Sequence, residues 1–223
     1  MQPKHADSLW AMKIGPNETL RAYSARHWKS EQLGIKEYVL AYLDPHLQPS
    51  GLFTGVSFAS RASGFDPQTA QIQELHQLGL KRIGLFGAAP IGCLPSQRTL
   101  AGGELRVCSE IYNQAAQLMN SKLSSAITSY NNSLNDPKAR IVYTDIYNPL
   151  LNIILNHDKY GFSVADKGCC GTGNLEVSIL CNQLTDTCPD DSVYVFWNSY
   201  HPTERGYRVL VNQILQSSLN KFF

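Results

Sequence analysis

No stretch of the 223 residues is apolar for long enough to cross a bilayer. The longest runs, such as Ile83 to Ile91, are broken by Gly and Pro and fall far short of the roughly 20 residues a span requires. An excess of charge of one sign is also missing. The 19 Lys and Arg nearly cancel the 18 Asp and Glu, leaving +1, so no strong field draws the chain to nucleic acid or to an anionic membrane. There is no internal repeat and no low-complexity tract. Met1 to Leu20 carries Lys4, His5, Asp7, Lys13 and Glu18 and lacks the continuous apolar core of a signal peptide. Nothing in it is therefore expected to direct secretion, which would leave the chain inside the cell.

What is present points elsewhere. Six cysteines (Cys93, Cys108, Cys169, Cys170, Cys181 and Cys188) and two glycosylation sequons, Asn17-Glu-Thr and Asn131-Asn-Ser, are habits of secreted proteins. A new start that replaced a lost leader would reconcile the two signals. Six cysteines allow fifteen pairings among three disulfides, and the spacing does not choose between them. Cys93 and Cys108 flank one loop and are natural partners. Zinc is the competing use of Cys169, Cys170, Cys181, Cys188 and His201. Structural zinc sites usually start from two ligands two to four residues apart, which this spacing does not offer, so disulfides are the favoured reading and no metal is expected.

With 43% hydrophobic residues the chain can bury one sizeable core. Residues 1–30 show no clean periodicity and are expected to be poorly ordered; residues 31–223 are expected to form one domain. Thr54 to Ala59 reads as a short strand and residues 68–79 as a helix leading into a buried strand, Lys81 to Gly87. After a loop from Pro90 to Pro95, residues 106–130 read as a long amphipathic helix with Ile111, Ala115, Leu118, Met119, Leu123 and Ile127 on one face. A strand from Arg140 to Asp145, a helix from Tyr147 to Asn156, a stapled loop from Gly168 to Cys188 and a last helix after Glu204 follow. Alternating helices and strands predict an α/β fold with a parallel sheet.

His201 is the foremost candidate for chemistry. It stands in a loop before a helix, with Pro202 fixing the turn and Asn198 three residues upstream. Taken by type alone, a histidine there is more often a surface or capping residue than a base. Ser57, in Gly55-Val-Ser-Phe-Ala59, loosely imitates a nucleophile elbow, but no helix follows to build one, so it reads as an ordinary strand residue.

Three longer strings change that weighting. Gly84-Leu-Phe-Gly-Ala-Ala-Pro-Ile-Gly-Cys-Leu-Pro-Ser-Gln-Arg-Thr, Ala165-Asp-Lys-Gly-Cys-Cys-Gly-Thr-Gly and Phe196-Trp-Asn-Ser-Tyr-His-Pro-Thr-Glu closely resemble the plant GDSL esterase/lipases, a family of the SGNH hydrolase superfamily. The resemblance runs from about Glu31 to the C-terminus, with Gly55-Val-Ser-Phe-Ala-Ser matching a second block. It implies hydrolysis of carboxylic esters by a Ser nucleophile from a Gly-Asp-Ser block, a Gly and an Asn as oxyanion donors, and an Asp-x-x-His pair. It implies no cofactor, and a small acyl ester or lipid as the partner. A secretory location is implied as well.

Several parts of that set are not found. His201 matches the base, but Asn198 stands where the family has Asp. Arg61 and Ala62 stand where it has the Gly of the oxyanion site. Neither Gly-Asp-Ser nor Gly-x-Asn-Asp occurs in the 223 residues, and Asp66 passes almost directly into Gln73-Glu-Leu-His where the family inserts a further helix and strand. The fold implied is a three-layer α/β/α, flavodoxin-like SGNH domain left incomplete, with strands one and three of the parallel sheet missing. Marginal folding and self-association through exposed sheet edges are then expected. The function expected is that of a GDSL esterase/lipase-like protein with deficient catalysis. The alternatives are a non-catalytic lipid-binding or partner protein and a truncated product with no role of its own.

Overall fold

The computed structural model describes residues 45, 46, 48, 82–176, 180–182 and 184–222. The expected N-terminal segment, the strand from Thr54 to Ala59 and the helix over residues 68–79 lie outside the described residues, and Asn17, Ser57, Arg61 and Ala62 lie there with them.

Within the compact unit Ile72–Phe223, β1 (Arg82–Phe86) and β2 (Arg140–Thr144) run parallel in unbroken register, Arg82 opposite Arg140 and Phe86 opposite Thr144. A parallel pairing is what the alternation of helices and strands predicted. Parallel neighbours need a long crossover, and most of it here is α2 (Glu110–Ser133), after the short α1 (Pro95–Ala101). Ile83, Ile141 and Ile127 close a small core between these strands and α2.

The buried face of α2 differs from the expected one. Ile111 and Leu118 are exposed, at 72% and 59%, while Asn113, Ala116, Asn120 and Ile127 are buried. Each four-residue step turns about 40° around a helix of 3.6 residues per turn, so the predicted stripe drifted from one face at Ile111 to nearly the opposite one at Ile127. Met119, Leu123 and Ile127 belong to the inner one; Ile111, Ala115 and Leu118 belong to the outer. Polar bonds select the inner face. Asn113 Oδ1 accepts the Gly92 N–H at 2.9 Å, and Asn120 brackets Ala88, accepting its N–H at 2.6 Å and donating to its carbonyl at 2.9 Å.

The second half repeats the alternation. Helix α3 (Tyr147–Leu155) begins where Asp145 Oδ1 accepts the N–H groups of Tyr147 at 2.8 Å and Asn148 at 3.2 Å. A strand not anticipated from the sequence, β3 (Val164–Gly168), then pairs in parallel with β4 (Tyr194–Phe196), with an irregularity between its two ends. Helix α4 (Glu204–Ser218) closes the unit. Phe162, Val195, Phe196, Ile153, Leu210 and Ile214 form the larger core, which packs α3 and α4 against this strand pair. The architecture is α/β with short parallel strands, arranged among the described residues as two separate two-stranded sheets. Among those residues no helix is long and apolar enough to cross a membrane.

Candidate functional site

His201 stands beyond the C-terminal end of β4, where α/β folds present their ligand and reaction sites. The loop that carries it is built around one side chain. Asn198, 1% exposed, turns its Oδ1 to accept the backbone N–H of Tyr200 at 2.9 Å and of His201 at 2.8 Å. Asn readily makes such local turns. The same oxygen lies 3.1 Å from His201 Nδ1. Trp197 N–H closes the loop by donating to the His201 carbonyl at 2.7 Å, and Phe196 and Pro202 form an antiparallel bridge at its base.

The next residue starts the helix. Thr203 Oγ1 accepts the Gly206 N–H at 3.0 Å, as an N-cap side chain does. The same hydroxyl donates to the Tyr194 carbonyl at 2.8 Å, which ties the start of α4 to β4. His201 is thereby fixed from both sides along the chain.

The cysteine-rich segment supports the loop from the side. Cys169 N–H donates to the Phe196 carbonyl at 3.1 Å and Cys170 N–H to the Trp197 carbonyl at 2.8 Å, while Ser199 N–H donates to the Glu176 carbonyl at 2.9 Å. Gly168 is needed here because a Cβ at that position would come within 2.8 Å of the Asn198 backbone. Helix α1 adds a bond from Ser96 N–H to the Ser199 carbonyl at 3.2 Å. The six cysteines pair as Cys93–Cys108, Cys169–Cys188 and Cys170–Cys181. All six sulfurs are thus in disulfides, and none is a thiolate able to ligate zinc.

Glu176 organises the segment internally. Its carboxylate accepts bonds from Thr172 N–H at 2.8 Å, Thr172 Oγ1 at 2.6 Å, Asn174 N–H at 2.8 Å and Leu175 N–H at 3.0 Å. Burial alone would push this carboxyl up, but the bonds from Thr172 and the backbone N–H groups outweigh it and bring it down to about 2.

The structure brings together His201, Asn198 and the disulfide segment. Asn131 serves another place: its amide, in the last turn of α2, bonds both ends of the Ile141 peptide at the start of β2. The supports that sequence reading missed are Glu176, Gly168, Asn113 and Asn120. Gly168, Asn113 and Asn120 act on backbone groups of a distant segment, and the Glu176 carboxylate on the backbone of its own irregular turn, neither of which leaves a periodic trace in the sequence. Their only signal was that Gly168 sat inside one of the long matching strings.

Comparison with known proteins follows this geometry. The family model for GDSL-like lipases and acylhydrolases matches residues 69–214. The GDSL esterase/lipase EXL3 of Arabidopsis thaliana is 38% identical over 271 residues, covering 86% of this chain and 74% of the relative. EXL2 of the same plant is 50% identical over 145 residues, 65% of this chain and 38% of its own length. In the EXL3 alignment, 86% of 223 residues is about 192, so about 79 of the 271 positions face no residue here. That is in keeping with the shortened passage after Asp66. The matched span, which includes the loop built on Asn198 and His201, shows that this chain belongs to the GDSL-like lipase/acylhydrolase family.

Proposed function

We propose that this chain is a catalytically deficient member of a family of carboxylic-ester hydrolases, with a small acyl ester or lipid as the matching ligand. The observation that carries the reading is the neutral amide of Asn198 at 3.1 Å from His201 Nδ1, where relatives place a carboxylate. An imidazole that takes a proton in the transition state becomes a cation, and an amide does not stabilise that cation as a carboxylate does. In serine proteases the Asp→Asn change lowers kcat by about 10⁴ because it leaves the histidine in the wrong tautomer, so the loss of charge alone is expected to cost less than that. The 223 residues as they stand also contain no Gly-Asp-Ser to supply the family's nucleophile, and Arg61 and Ala62 replace the Gly of the oxyanion site.

Three disulfides support folding in an oxidising compartment, in agreement with a secretory location. The deciding experiment is hydrolysis of a short p-nitrophenyl acyl ester by the purified chain, run beside His201→Ala and an intact relative. Absence of turnover while the relative is active is the expected result. Turnover that disappears in His201→Ala would reveal a substitute nucleophile and overturn the deficiency.

A further inference from the structure

We infer that Asn198 is a positioning residue that holds the neutral His201 ring in a single tautomer, with the proton on Nδ1 and the lone pair on Nε2. The inference rests on the reading above for the role of this loop, though not for its geometry. An Asn beside a histidine is ambiguous by itself. Its oxygen would accept from a protonated Nδ1, whereas its NH₂ would donate to an unprotonated one, and the two arrangements select opposite tautomers.

Here the backbone removes the ambiguity. The N–H groups of Tyr200 and His201 converge on one atom of the amide, at 2.9 and 2.8 Å. Two N–H donors cannot face an NH₂ group, so that atom is the oxygen. Rotating the amide by half a turn would set donors against donors in a place where the side chain is 1% exposed and water cannot compensate. Nδ1 meets the same oxygen at 3.1 Å, so Nδ1 must be the donor.

The loop cannot relax to escape this choice. The Trp197 carbonyl is held by Cys170 N–H, the Ser199 N–H by the Glu176 carbonyl, and Gly168 packs against the Asn198 backbone. Relative to a carboxylate, Asn198 therefore gives up the negative charge and keeps the orientation. In the neutral ring the lone pair then falls on Nε2, the nitrogen that a general base would use.

Long-range ¹H–¹⁵N correlation spectra of the full chain, recorded where the ring is neutral, read the tautomer directly. The expected result is a pyrrole-type Nδ1 and a pyridine-type Nε2, with the Nδ1–H form in about fivefold excess or more. Asn198→Asp should keep that pattern, and Asn198→Leu, which removes the acceptor, should move the ring toward a mixture. An Nε2–H majority or an even mixture in the unaltered chain would overturn the inference. If Asn198→Leu does not fold, the spectra of the unaltered chain and Asn198→Asp decide alone. Ester turnover measured on the same samples separates the two readings: turnover with an Nδ1–H ring overturns only the deficiency, and an Nε2–H ring without turnover overturns only the tautomer assignment.

Discussion

The amide of Asn131 spans the Ile141 peptide, donating to its carbonyl at 2.7 Å and accepting its N–H at 3.0 Å. One side chain at the end of α2 thus replaces two strand-like bonds at the start of β2 and fixes where the crossover returns to the sheet. Removing it leaves a part-buried donor and acceptor without partners. Asn131→Ala is expected to cost about 1 to 3 kcal/mol in urea unfolding.

Two glycines with positive φ separate strain from collision. Gly103 has φ +64° and open space around a hypothetical Cβ, whereas Gly173 has φ +73° and its Cβ would run into the Gly168 carbonyl oxygen. Gly103→Ala should cost about 1 to 2 kcal/mol, the penalty of the left-handed conformation alone. Gly173→Ala should cost more than about 3 kcal/mol, since overpacking adds to that penalty. Parallel thermal melts of the two variants check the difference.

The carboxyl of Glu176 lies at about 2 in the folded chain against an ordinary value of 4.5. A folded-state value below the unfolded one means that ionised Glu176 stabilises the fold above pH 4.5, and that this contribution is lost as the pH falls toward 2. Glu176→Gln should therefore be less stable than the unaltered chain at pH 7, and the two should converge at the acid end. Midpoints of urea unfolding measured at pH 7, 4 and 2.5 test the sign.

The two faces of α2 make opposite predictions. Ile111→Lys and Leu118→Lys, on the exposed face, should change stability by no more than about 0.5 kcal/mol. Asn120→Ala, which strips both bonds from the Ala88 peptide, should cost about 2 kcal/mol or more. A reversal would restore the stripe read from apolar spacing.

That reversal of faces shows what the sequence could and could not convey. The helices from Tyr147 and from Glu204 and the strands Arg82–Phe86 and Arg140–Thr144 were legible because apolar spacing and Gly and Pro punctuation agree there. Strand β3 was not, because Val-Ala-Asp-Lys-Gly has neither strand alternation nor a β-branched run, and its partner β4 supplies the pairing. Helix α1 was hidden because its first residue is a proline and Pro90 closely precedes it, although Pro95 suits a first helical position. In the site, Asn198 and His201 were legible as a pair in a known string. The oxygen's three donors were not, because they depend on how the backbone turns.

Cys169 and Cys170 are neighbours in the chain but are tied to different partners, Cys188 and Cys181, and it is their own amides that grip the Phe196 and Trp197 carbonyls. The covalent struts and the grip are therefore the same two residues. A reducing environment would thus remove the struts behind the histidine's scaffold without altering any side chain in the loop from Trp197 to His201.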